Sequence, residues 1–127
     1  MIDINKQVDY WRSGAEEDFL VAEELVTLKR IRHGLFFAHL ALEKMLKAHV
    51  CRQTGNLAPP SHNLVMLAQK AGIKLEQRQL ELLAEVNEFS IEGRYPELHL
   101  PLPAFEEVKD YLFRIKELLE WLKGLLN

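Results

Sequence analysis

Apolar residues recur at three- and four-residue steps through Val8, Trp11, Ala15, Phe19, Ala22 and Val26, the spacing of one helical face. Asp3 or Asn5 can cap the start of that helix. Arg12, Glu16, Glu17, Asp18, Glu23 and Glu24 fall on its other faces, where solvent is the expected partner. The basic run Lys29-Arg30-Ile31-Arg32-His33, closed by Gly34, breaks the period and predicts a turn into a second helix. From Leu35 to Gln53 apolar residues cover nearly the whole circumference, so this helix should be buried on several sides. The polar exceptions are His39, Glu43, Lys44, Lys47 and His49. Glu43 and Lys47 stand four apart with the acid first, the favourable order for a helical ion pair, and Gly55 suits a left-handed C-cap.

Pro59-Pro60-Ser61-His62 predicts a rigid connector, with Ser61 as N-cap of a short helix through Leu64, Leu67 and Ala68 that Gly72 stops. Leu80, Leu82, Leu83, Val86, Phe89 and Ile91 predict a fourth helix terminated by Gly93. The next stretch, Arg94 to Pro103, carries Pro96, Pro101 and Pro103, which remove backbone donors and bias their predecessors toward extended conformations; it should run between helices. A fifth helix should begin near Pro103, with Glu106 and Glu107 in its first turn and a stripe of Phe105, Val108, Leu112, Ile115, Leu119 and Leu122. No alternating strand pattern of useful length occurs. The predicted fold is all-α: an up-and-down bundle of four long helices and one short helix, in a single domain over residues 1–127.

Composition narrows the function. With 127 residues, 48% hydrophobic and 28% charged, one core is large enough to stand alone. A net charge of -3 provides no global basic field, so any nucleic acid must be held by a local patch. The one cysteine, Cys51, lies in a helical pattern and reads as a small core residue in a reducing compartment. The N-terminus lacks an apolar signal region and no run of about 18 apolar residues occurs, so a cytoplasmic protein without a membrane span is expected. The five histidines include no pair three or four apart on one helix, which speaks against a metal site, and neither a glycine-rich phosphate loop nor a nucleophile signature is present. No cofactor is implied.

Arg94 and His99 remain, close together on the irregular segment. A neutral imidazole can take the proton of a ribose 2'-hydroxyl, an imidazolium can protonate a leaving oxygen, and a guanidinium can stabilise charge growing on the phosphate between them. Arginine followed by histidine after four to six residues also occurs at Arg32 and His39, so the pattern alone does not specify a site.

Four blocks together are more specific: Ala15-Glu16-Glu17-Asp18-Phe19, the run from Phe36 to Ala48, Pro59-Pro60-Ser61-His62-Asn63-Leu64, and Arg94-Tyr95-Pro96. In order and spacing the chain resembles the HEPN domain family across nearly its whole length. The resemblance implies a helical bundle, usually a homodimer, found in prokaryotic defence and toxin-antitoxin modules and often encoded beside a minimal nucleotidyltransferase. It further implies a metal-independent ribonuclease site, formed jointly by two protomers, in which His99 is the acid/base and Arg94 the phosphate binder. Lys44, Lys47 and Tyr95 are the accompanying candidates for binding RNA or a nucleotide. Tyr95 stands where active members usually carry a small polar residue, and Leu40 where a glutamine is common. The alternative is therefore a non-catalytic module that binds a nucleotide or regulates the nucleotidyltransferase, with Tyr95 as a possible target of modification.

Overall fold

The structure is a computed structural model that describes residues 2–94 and 101–127, and side chains for 2–90 and 101–127. Five helices run through the described residues: α1 (Ile4–Thr27), α2 (Ile31–Thr54), α3 (Leu64–Lys70), α4 (Gln77–Arg94) and α5 (Phe105–Leu126). This is the predicted bundle of four long helices and one short one. None of them is long and apolar enough to cross a membrane.

Asp3 caps α1 by accepting from the Lys6 backbone N–H at 3.1 Å. The turn that follows is tighter than the basic run suggests. Leu28, Lys29 and Arg30 make it, with Lys29 at φ 62°, and Ile31 already opens α2. Gly34 does not close the turn. It lies inside α2, where a Cβ would come within 2.5 Å of Val26 Cγ2 and 3.3 Å of the Ala22 carbonyl oxygen, so its missing side chain lets α1 and α2 approach.

α2 packs against each of the other four helices, which is why its sequence is apolar all round. Leu42, Met45 and Leu46 are at most 1% exposed, and they meet Val8, Leu64, Leu67, Leu83, Ile115 and Leu122 in one core. α5 runs antiparallel to α1, as Lys123 bridging to Glu16 at 2.8 Å and the shared packing of Val108 with Val26 require. Gly55, at φ 64°, terminates α2 by donating its N–H to the Cys51 carbonyl.

Three further sequence expectations need correction. Asn63, not Ser61, caps α3, accepting from the Met66 N–H at 3.2 Å; Ser61 Oγ instead accepts from the Asn63 N–H and shapes the turn before it. α4 continues through Gly93 to Arg94, because one glycine costs a helix only about 1 kcal/mol. Asp18 is not solvated: it is 9% exposed and its Oδ2 lies 2.8 Å from Lys44 Nζ.

The far end of the bundle holds a titratable contact. His49 Nε2–H donates to the Leu122 carbonyl at 2.8 Å, and Arg52 donates to the Leu126 carbonyl, so both side chains satisfy the C-terminal turns of α5. Burial pushes the His49 pKa below its ordinary value near 6.5, and neighbouring Arg52 adds to that, against the Leu122 hydrogen bond. The unfolded chain therefore binds the proton more tightly. This contribution is complete above about pH 6.5 and is lost as pH falls toward the folded value, with a slope of at most about 1.4 kcal/mol per pH unit. Urea midpoints measured across that range should fall with pH. His49→Gln, which keeps a donor for Leu122, should flatten the slope; an unchanged slope would contradict the assignment.

Candidate functional site

Polar side chains converge where α2, the connector before α3, and α4 meet. Glu43 is the centre, with its side chain 5% exposed. Its Oε2 accepts from Lys47 Nζ at 3.1 Å and its Oε1 accepts from His62 Nδ1 at 3.0 Å, while His39 Nδ1 approaches Oε1 at 3.7 Å. The helical period explains why three of the four belong to α2: positions 39, 43 and 47 are successive i, i+4 neighbours on one stripe. The fourth reaches in from a loop.

That loop is held from both sides. His39 Nε2–H donates to the His62 carbonyl at 3.0 Å. On α4, Asn87 Oδ1 accepts from the Leu64 N–H at 2.9 Å and Asn87 Nδ2 donates to Asn63 Oδ1 at 3.2 Å. Pro59 and Pro60 narrow the backbone choices that lead into it. On the other flank Lys47 Nζ sits 5.2 Å from the centroid of the Trp11 ring, so α1 covers the ammonium with an aromatic face. A buried carboxylate is tolerable here because a cation and an imidazole donor satisfy its oxygens.

Of the candidates named from sequence, Lys47 is placed in this network and is 7% exposed. Lys44 lies one position from Glu43 on the adjoining face, 28% exposed and paired with Asp18. The Arg94 position ends α4. The Arg94 side chain, Tyr95 and His99 lie outside the described residues. Arg32 and His39, the second Arg-His match, are separated by burial: the His39 side chain is fully enclosed and serves the connector. His62 and Asn87 were missed as members of a site. The signal for His62 was its place directly after a Pro-Pro-Ser connector, and Asn87 gave none. Cys51 is buried, and burial pushes its thiol pKa up, which removes it as a nucleophile. No group of three or more potential metal ligands is found among the described residues.

Beside the proline segment, Arg32, Leu35, Glu85, Glu88, Phe89, Tyr111 and residues 101–103 line a cavity of about 170 Å³. Tyr111 packs edge-on against Phe89, with ring centroids 5.1 Å apart. Burial raises its phenol pKa, and the Glu85 carboxylate adds to the shift.

An antiparallel bundle wrapped around one central helix, with a carboxylate-centred polar cluster where a loop enters, defines a class of small all-helical domain. The family model of the HEPN domain matches residues 8–125, and the chain belongs to that family. Among solved structures, the crystal structure of TT1696 from Thermus thermophilus shares the fold with a TM-score of 0.78 at 18% identity, over 93% of this chain and 97% of that one. No curated protein matches the sequence.

Proposed function

We propose that this HEPN domain protein is a toxin or defence component that cleaves RNA as a homodimer, with His99 as acid/base and Arg94 as phosphate binder. The observation that carries the reading is the family match over residues 8–125, which encloses an Arg-x4-His motif beginning at the last residue of α4. A motif that starts at a helix end and runs into a proline-rich segment can present a cation and an imidazole to a ligand, where a mid-helix motif would be constrained to one face. Lys44 lies close enough to the surface to meet a phosphate. Lys47 is buried and its charge is met by Glu43, so it supports the site from within the bundle. The chemistry asks for no metal, since the imidazole moves the protons and the guanidinium stabilises the phosphorane charge.

Purified protein should degrade RNA in EDTA, and His99→Ala should abolish the activity. Equal cleavage by both proteins would refute the assignment. Sedimentation should show a dimer, because the site is composed from two protomers.

A second reading is favoured by one observation: Glu85 and Glu88 line the cavity beside residues 101–103 against one cation, Arg32, an acidic excess that disfavours a polyanion. On that reading the protein binds a nucleotide or regulates a minimal nucleotidyltransferase, and Tyr95 accepts the modification. A mass adduct on Tyr95 after incubation with such a partner and ATP, without RNA cleavage, would select it.

A further inference from the structure

The turn between α1 and α2 gathers cations that the proposed chemistry has not used. Lys29, Arg30 and His33 are exposed on it, while Arg32 lines the cavity with Glu85 and Glu88 and stands apart. The Lys29 ammonium lies 5.1 Å from the centroid of the Phe105 ring and the Lys109 ammonium 5.3 Å from the same centroid, so one ring at the start of α5 brings two like charges together. Glu106 meets one of them, Lys109, at 3.2 Å. No ion pair joins Lys29 or Arg30 to an acid among the described residues.

Lys29 stands in the left-handed region, at φ 62°, where a glycine would sit without strain. The backbone there does not call for a lysine. Position gives these charges their meaning. Val26, Ile31, Leu35, Phe89, Phe105 and Val108 pack in one apolar cluster, which gathers the end of α1, the start of α2, the last turns of α4 and the start of α5. The last residue of α4, Arg94, lies five positions and about 8 Å beyond Phe89 along the helix axis. The basic turn and the end of α4 therefore stand at the same end of the bundle. A chain with a net charge of -3 has no general attraction for a polyanion, so a local patch must supply it.

We infer that Lys29, Arg30 and Lys109 form a docking surface for the phosphate backbone of an RNA strand, holding nucleotides beside the linkage that is cut. The inference rests on the RNA-cleaving reading above and names where that substrate binds. Three cations around one end of the bundle can meet successive phosphates, and each contact releases a condensed counterion. An anion between the two ammoniums also relieves their mutual repulsion. Phe105 already carries both ammoniums and is not offered to a base, so the patch reads backbone charge and not sequence.

The test uses the intact protein and a fluorescent single-stranded RNA whose riboses all carry 2'-O-methyl groups. Without a free 2'-hydroxyl the strand cannot be cut by its own attack, so anisotropy reads binding alone. Log affinity should fall against log salt with a slope of about 2 or more, since each phosphate held on a single strand contributes about 0.7. Lys29→Gly, Arg30→Gln and Lys109→Gln should each raise Kd several-fold at low salt and reduce that slope by about 0.7. Lys29→Gly should do so with a urea midpoint no lower than wild type, because glycine takes φ 62° freely. Lys74→Gln, in the loop before α4 and so at its opposite end, should change neither Kd nor slope. On unmodified RNA the loss in the three patch variants should fall on KM. Unchanged Kd and slope in those variants, or an equal loss from Lys74→Gln, would overturn the inference and leave the RNase reading standing. So would displacement of the RNA by polyglutamate of the same charge at equal concentration, which would assign the patch to an acidic protein. A wild-type protein that neither binds the modified strand nor cleaves the unmodified one would overturn both.

Discussion

Replacing Glu43 with alanine is expected to lower the free energy of unfolding by about 3–5 kcal/mol, the range for breaking a buried ion pair from one side. The reason is what stays behind. Lys47 would keep an ammonium at 7% exposure with its carboxylate gone, and His62 would lose the acceptor for Nδ1–H. The indole of Trp11, 5.2 Å from the ammonium, offsets only part of that loss, since a cation over an aromatic face is worth about 2 kcal/mol at best when desolvated. Whole domains are stable by only about 5–15 kcal/mol, so the variant should sit near the edge of folding at 37 °C. The control is the double variant Glu43→Leu with Lys47→Met. Removing both charges together leaves no ammonium buried without its carboxylate, and such apolar replacements are often neutral. Urea denaturation with unchanged m-values would measure both. If Glu43→Ala costs no more than the double variant, the carboxylate and ammonium are not mutually dependent.

Leu46→Ala should cost about 2–5 kcal/mol through lost transfer energy plus the cavity left behind. Leu46 is fully buried on the one helix that touches the other four, so no solvent-facing side chain can swing in to fill the gap. Leu46→Met, which nearly conserves volume, should cost less than about 1.5 kcal/mol. A small effect of the alanine would mean that the bundle relaxes around α2 instead of packing against it.

Both predictions concern α2, and the sequence already marked that helix as central. Its apolar circumference from Leu35 to Gln53 required burial on several sides, and the Glu43 to Lys47 spacing required that the two meet if the segment was helical. Those inferences are local, because a 3.6-residue period fixes which side chains share a face whatever lies opposite. The prolines and glycines were less decisive. Gly34 looked like a turn residue and is a contact between helices; Gly93 looked like a stop and is passed over. Glycine permits a turn, but it also permits close approach, and only the neighbouring helix distinguishes the two.

The candidate site divides in the same way. Arg94 and His99 came from a motif and its place among four family blocks, and they remain a proposal resting on that family. Asp18 was read as part of a solvated acidic face, since nothing in α1 reveals that Lys44 waits across the interface. The contacts of His62 and Asn87 were not legible from spacing, because His62 lies 19 positions from Glu43 and Asn87 lies 24 from Asn63. By itself the sequence determined the all-helical class, the order of the helices, the central place of α2 and its internal ion pair, since each follows from spacing along one chain. Only the tertiary structure decided that Asp18 is buried beside Lys44 and that a loop histidine meets the Glu43 carboxylate, because those contacts join elements whose relative positions no local period encodes.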